Sequence, residues 1–151
     1  MFTATHLHAM IVHFPVALVL VAFVSELAGI FLKKKFYQQV SLYILVLAAL
    51  GAIAAFITGD IAGDGMDGGS LQQALVVHKQ AATLTLVFTI IAAGAKIILA
   101  LMKKEMRWLK ILAFILLFAA AGSVARTGYL GGQLVFKHAA GVELGIGNFG
   151  S

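Results

Sequence analysis

The sequence predicts an all-α fold: an integral membrane, antiparallel four-helix bundle with both termini on the non-cytoplasmic side. Three observations predict it. Of the 151 residues, 62% are hydrophobic and only 11% are charged, which is less than half of the roughly 25% charge usual in a soluble domain. The mean hydropathy is +1.02. Finally, the chain contains four long apolar stretches, with basic residues concentrated in two of the segments between them.

The apolar stretches cover about residues 14–32, 41–61, 77–102 and 108–130. Each is long enough, as a helix, to cross a hydrocarbon core of about 30 Å. Their apolar residues surround the helix instead of forming one stripe, which is not typical of a helix that faces water. Backbone polar groups in lipid must be bonded within the segment, so helices are expected. We expect a single transmembrane domain over residues 1–151.

The basic residues predict the orientation of this bundle. Short loops rich in Lys and Arg stay in the cytoplasm, so both termini and the loop between the second and third helices are predicted to face the periplasm, from a bacterial inner (cytoplasmic) membrane. We interpret the net charge of +5 as a topology signal, not as a sign of nucleic-acid binding. The basic residues concerned come after the first and third stretches: Lys33, Lys34, Lys35, Lys103, Lys104, Arg107 and Lys110.

All five histidines are predicted to lie on the outer side of the bilayer. Pro15 is favoured in a first helical turn, so it is expected to place His13 close to the start of the first helix. The absence of cysteine excludes disulfides, thiolate-ligated iron–sulfur clusters and covalently attached c-type haem. Imidazole and carboxylate remain as metal ligands. The histidines precede or open helix 1, open helix 3 or follow helix 4: His6, His8, His13, His78 and His138.

The predicted positions of the histidines suggest a haem site. His13 and His78 open parallel helices, so their imidazoles are expected to approach each other across the outer end of the core. Two imidazoles can hold a b-type haem, one on each face of the iron. His8 and His138 are further candidates for cofactor binding. Arg126, about one turn from the outer end of helix 4, is expected to pair with a haem propionate.

Two other interpretations stay open. Three imidazoles with a carboxylate can bind Zn, Cu or Fe directly, and His13, His78, His138 and Asp60 are the candidates for such a site. Alternatively the histidines are ordinary interfacial residues, and the chain is a structural subunit of a larger membrane complex. No catalytic group is specific enough to name, which points to an electron carrier or a complex subunit rather than a stand-alone enzyme.

The haem interpretation implies partners beyond the lipid bilayer. One haem near the outer face cannot span the membrane, so a redox partner protein or a quinone is expected to complete the electron path. Two charges, Glu26 and Lys96, lie within the apolar stretches at similar distances toward the cytoplasmic end, and they are expected to pair. Charges inside a membrane suggest a function by default.

Two segments carry a family resemblance. Helix 1 opens with HAMIVHFPVAL at residues 8–18, and helix 4 closes with TGYLGGQLVFKH at residues 127–138. Together they resemble a bacterial family of four-helix membrane proteins known as domain of unknown function 2231. The resemblance implies a small membrane redox component with histidines at positions 8, 13, 78 and 138. The chain departs from the family pattern at Ala9, where proline is usual, and at Ala139-Ala140, where Gly-Val is usual.

Overall fold

The computed structural model describes residues 3–64, 68–102 and 106–142. Within these ranges the chain forms four helices, and each is long and apolar enough to cross a membrane. The predicted all-α class is confirmed, and so are four helices that are long and apolar enough to span a membrane. Lys103 and Lys104 of the second basic cluster lie outside the described residues. The helices are α1 (Ala4–Phe31), α2 (Lys35–Gly63), α3 (Gly69–Leu101) and α4 (Arg107–His138).

Helix α1 begins well before the apolar stretch that predicted it. The hydroxyl of Thr3 caps the helix by accepting a hydrogen bond from the backbone N–H of His6 at 3.3 Å. Pro15 therefore lies inside α1, and the expectation that it occupies the first turn is wrong. The apolar stretch marks only the part of the helix suited to hydrocarbon, whereas the polar residues before it continue the same helix. The Pro15 ring packs on α2 at Gly51, where an added Cβ would lie 3.3 Å from Pro15 Cδ.

Each helix packs against two neighbours, so the four helices form a closed ring. Helix α1 packs on α2 and α4, and α3 also packs on α2 and α4. Helices α1 and α3 therefore occupy one diagonal of the bundle, and α2 and α4 occupy the other. Small residues at the centre let helix backbones approach closely in a membrane. The fully buried apolar residues are Val19, Ala22, Leu45, Ala48, Ala92, Leu117 and Ala120.

The outward surface of the bundle is apolar. Large side chains such as Phe31, Ile57, Leu101 and Phe118 are exposed on it. A soluble monomer rarely exposes contiguous apolar surface of this kind, whereas lipid tails solvate it well. The exterior is therefore suited to a bilayer, in agreement with the hydropathy of the helices.

An ion pair joins α1 to α3 near one end of their diagonal. The Lys96 ammonium donates to the Glu26 carboxylate, and the two side chains are only 8% and 14% exposed, respectively. The predicted pairing of these charges is confirmed. Glu26 follows His8 by 18 residues, and Lys96 follows His78 by the same interval. Eighteen residues make five full helical turns, about 27 Å. Each histidine therefore shares a helix face with one partner of the ion pair.

Candidate functional site

A small cavity lies in the half of the bundle that is remote from the ion pair. Its volume is about 60 Å³, which is room for a few water molecules. The imidazoles of His8 and His78 both line it, and so do apolar side chains from all four helices. Two imidazoles from the diagonal helices α1 and α3 thus meet one apolar cavity. The lining residues include His8, Val12, Ala55, His78, Thr85 and Thr127.

The His8 imidazole packs against α2, where it contacts a hydroxyl group and fills space beside a glycine. Its Nδ1 lies 3.3 Å from the hydroxyl oxygen of Thr58. The next residue of α2 is Gly59, where an added Cβ would lie 2.8 Å from His8 Cε1. That distance is shorter than carbon atoms tolerate, so the ring occupies space that only a glycine leaves open.

The His78 imidazole packs against α4 in the same way. At Gly131 of α4 an added Cβ would lie 3.2 Å from His78 Cε1. The Nδ1 atom of His78 is buried and has no hydrogen-bond partner among the residues that the structure describes. An unsatisfied buried polar atom costs about 1–3 kcal/mol. The same imidazole also interacts with the backbone of Thr127 in α4.

Hydroxyl groups form the polar wall between α3 and α4. The Thr85 hydroxyl donates to the backbone oxygen of Ala81 at 3.0 Å. Its oxygen lies 2.8 Å from the Ser123 hydroxyl and 2.9 Å from the Thr127 hydroxyl. Either oxygen can be the donor in each of these two bonds, which link α3 to α4.

The structure places His13 away from this cavity. Its side chain is exposed, and its Nδ1 lies 2.6 Å from the backbone oxygen of Ala9, one turn earlier in α1. The imidazole of His6 lies 2.8 Å from the Thr3 hydroxyl, also at an exposed position. The expected approach of His13 to His78 is therefore not what the structure contains, and His8 lines the cavity with His78 instead.

The remaining predicted site residues lie apart from the two cavity histidines. His138 is in the last turn of α4, with its Nδ1 3.5 Å from the Ser70 hydroxyl. Arg126 is exposed on α4, and Asp60 forms an exposed ion pair with Lys79. Within residues 3–64, 68–102 and 106–142, no group of three or more His, Asp or Glu side chains is arranged to hold a metal ion.

A family model described as "Predicted membrane protein (DUF2231)" matches residues 4–144. The chain belongs to this family. The match agrees with the resemblance carried by the two sequence segments at the start of helix 1 and the end of helix 4. No curated protein matches the chain, and no solved structure matches it.

The position of His8 at the cavity of this DUF2231 protein could have been predicted from the sequence. His8 precedes Glu26 by 18 residues, so both lie on one face of α1, the face that carries the buried residues Pro15 and Val19. His13 precedes Glu26 by 13 residues, which turns it about 220° around the helix at 3.6 residues per turn. Depth in the membrane does not separate His8 from His13, but the helix face does: His8 lies on the buried face of α1 and His13 does not.

Proposed function

We propose that this DUF2231 protein is a membrane-bound electron-transfer subunit that holds a b-type haem between His8 and His78. One observation carries the proposal: the imidazoles of these two residues, from diagonal helices, line the same apolar cavity. Bundle cores commonly bind cofactors through side chains of facing helices. Haem with two imidazole ligands supplies one-electron transfer when it is bound, and it needs no cysteine.

Two features beside the imidazoles support a ligand there. His78 has a buried ring nitrogen with no hydrogen-bond partner among the described residues, and glycines at positions 59 and 131 leave room for the two rings. The cavity volume of about 60 Å³ is smaller than a porphyrin, so the proposal requires α1 and α3 to lie further apart at this end in the haem-bound protein. Arg126, which is exposed on α4 and next to Thr127 in the sequence, is the residue that we propose for pairing with a propionate group.

A bare-metal site has less support than a haem site. A structural or catalytic zinc has three or four protein ligands, whereas the cavity is lined by the two imidazoles of His8 and His78. A six-coordinate haem iron needs only two protein ligands. The number of imidazoles at the cavity is therefore the reason that we propose haem and not Zn, Cu or Fe held directly by His13, His78, His138 and Asp60.

The proposed orientation places the histidine cavity at the periplasmic side of the inner membrane in an antiparallel bundle. Two contacts between α1 and α2 support the antiparallel order: His8 contacts Thr58, and Gly29 adjoins Gln38. Gly141 lies beside Thr5, which supports a common side for both termini. Basic residues near the opposite ends support a cytoplasmic location for those ends.

Cysteine labelling tests this orientation cleanly, since the native chain has no cysteine. In spheroplasts, a membrane-impermeant maleimide is expected to label Ser70→Cys, at the start of α3. Lys35→Cys, at the start of α2, is expected to react only after the membrane is permeabilised. The opposite pattern would reverse the orientation, and equal labelling of both would contradict the crossing order.

Absorption spectroscopy of the purified protein tests the haem itself. The protein, expressed with haem supplementation, is expected to show a Soret band, and dithionite is expected to produce the sharp α band of a six-coordinate low-spin haem. Reduction by a quinol analogue or by a soluble electron donor would identify the kind of redox partner. A preparation with no Soret band after haem reconstitution would refute the proposal and leave a structural subunit as the alternative.

The two glycines that face the imidazoles provide a graded test of the site. Gly59→Ala is expected to lower haem occupancy strongly, because its Cβ would lie 2.8 Å from His8 Cε1. Gly131→Ala is expected to have a smaller effect, because its contact with His78 Cε1 would be 3.2 Å. Occupancy is measured as the ratio of Soret to protein absorbance.

The chain offers a matched control for these variants. Gly128 lies on α4 less than one turn from Gly131, and an added Cβ there would meet nothing within 4 Å. Gly128→Ala is expected to retain full occupancy and to strengthen the helix slightly, since alanine has the higher helix propensity. If Gly128→Ala lost as much haem as Gly59→Ala, steric contact with the imidazole would not be the cause.

A further inference from the structure

We infer that the first half of the bundle (α1 and α2) and the second half (α3 and α4) present equivalent interaction surfaces to each other, and that the charges of Glu26 and Lys96 select the pairing of unlike halves. Each surface fits a half that carries the opposite charge. In the native protein this partner is the other half of the same chain. An approximate two-fold axis along the centre of the bundle relates the two halves, and their recognition needs no haem.

The buried residues of the two halves correspond position by position. Two fully buried residues of α1 each have a fully buried counterpart in α3, 70 residues later. Five buried residues of α2 have buried counterparts in α4, always 72 residues later. The second offset is larger by two because five residues connect α3 to α4, whereas three connect α1 to α2. The two halves therefore share one packing pattern. The pairs are Val19 with Thr89, Ala22 with Ala92, Ser41 with Ala113, Leu45 with Leu117, Ala48 with Ala120, Ala49 with Ala121, and Ala52 with Val124.

The residues around the cavity follow the same two offsets. His78 comes 70 residues after His8. The glycine that each ring contacts is repeated as well, since Gly131 comes 72 residues after Gly59. Most of the other lining residues also form such pairs. A half turn about one axis therefore exchanges α1 with α3 and α2 with α4, and the cavity lies on that axis. The further lining pairs are Val12 with Ala82, Pro15 with Thr85, Val16 with Leu86, Ala52 with Val124, and Ala55 with Thr127.

The ion pair lies on the same axis, but its two members differ in charge. Lys96 comes 70 residues after Glu26, and the two side chains contact each other. Residues close to a two-fold axis meet their own counterparts. If the first halves of two copies paired, Glu26 would therefore face a second Glu26, and two second halves would bring Lys96 to a second Lys96. Like charges that face each other in an interface are strongly unfavourable, so only unlike halves are complementary.

Charge reversal tests this recognition in the full chain. Glu26→Lys leaves a lysine on both halves, and Lys96→Glu leaves a glutamate on both, so neither variant has complementary halves of its own. When the two variants are co-expressed with different affinity tags, we expect them to co-purify in equal amounts as a mixed dimer, because each supplies the charge that the other lacks. The measurement is purification on both tags in succession in a mild detergent, followed by light scattering to obtain the mass.

Two controls accompany the co-expression. Differently tagged copies of the native chain are expected not to co-purify, since each chain already contains complementary halves. The exposed ion pair between Asp60 and Lys79 supplies the second control: Asp60→Lys co-expressed with Lys79→Asp is expected to give separate monomers, because exposed charges contribute little. If each buried-pair variant is degraded when it is expressed alone, its recovery only in co-expressing cells gives the same answer. Co-purification no higher than that of two native chains would overturn selection by charge.

The reversed chain Glu26→Lys/Lys96→Glu tests the equivalence of the two positions. It is expected to be a monomer with a melting temperature close to that of the native protein, because a half turn about the axis exchanges the two sites. The measurements are light scattering and thermal unfolding in the same detergent, with both single variants compared in parallel. A reversed chain that unfolds as early as the single variants, or that does not fold, would overturn the two-fold relation between the halves.

Discussion

Replacing His8 or His78 by alanine is expected to abolish the six-coordinate haem spectrum. Each imidazole would supply one of the two protein ligands of the haem iron in the proposed site, so its loss would weaken haem binding. The expected result is either no Soret band or the broadened spectrum of a five-coordinate haem. The measurement is the reduced-minus-oxidised spectrum of purified variants that elute at the native position in size-exclusion chromatography.

The chain supplies controls that separate ligation from general damage. His13→Ala is expected to retain the native spectrum, because the His13 side chain is exposed and bonds to the backbone oxygen of Ala9. Adding imidazole to the variant His78→Gly is expected to restore part of the six-coordinate spectrum, since the free ligand fits the space vacated by the side chain. Loss of haem in His13→Ala but not in His8→Ala would make His13 and His78 the ligand pair.

The fold could be predicted from the sequence to a large extent, because one physical quantity governs it. Long apolar stretches can satisfy their backbone in lipid only as helices, and the four stretches do correspond to α1–α4. Hydropathy, however, predicted a start for α1 that is too late in the chain. Residues 4–13 include three histidines and are less apolar, yet they continue the helix from its cap at Thr3. Hydropathy detects the hydrocarbon layer, not the end of a helix.

The candidate site could be predicted only in part. His78 was chosen by its depth in the membrane, and it does line the cavity. His13 was chosen by the same criterion and faces elsewhere, because depth alone does not fix the side of a helix. The contacts with Gly59, Thr58 and Gly131 depend on the register between neighbouring helices. That register is set by packing among many small residues, and a single sequence does not reveal it.

The common 18-residue interval connects the two polar features of the bundle. His8 and Glu26 share one face of α1, and His78 and Lys96 share one face of α3. The α1–α3 diagonal therefore carries a histidine pair near one end and an ion pair about 27 Å away, close to the thickness of the hydrocarbon core. The two sites have opposite requirements. The proposed haem would require the cavity to widen, whereas the ion pair joins the same two helices at the other end.

Breaking that ion pair is expected to destabilise the protein strongly. Glu26→Ala leaves the ammonium of Lys96 without its partner, at a position where the side chain is only 8% exposed. Removing one partner of a buried ion pair typically costs about 3–5 kcal/mol. For a chain of this size that loss lowers the melting temperature by on the order of 10 °C. The measurement is thermal unfolding in a mild detergent, followed by circular dichroism, with Lys96→Ala compared in parallel.

The double variant Glu26→Leu/Lys96→Met distinguishes two causes of destabilisation: loss of the attraction between the two charges, and burial of one charge without its partner. It removes both charges while roughly keeping side-chain volume, and such replacements of buried pairs are often neutral or stabilising. We expect its melting temperature to return to within a few degrees of the native value. Its haem spectrum is expected to stay native, because the cavity lies five helical turns away. If both single variants melted like the native protein, the ion pair would not hold α1 and α3 together. The contrast between a stable end at the ion pair and a ligand-binding end at the histidines would then be wrong.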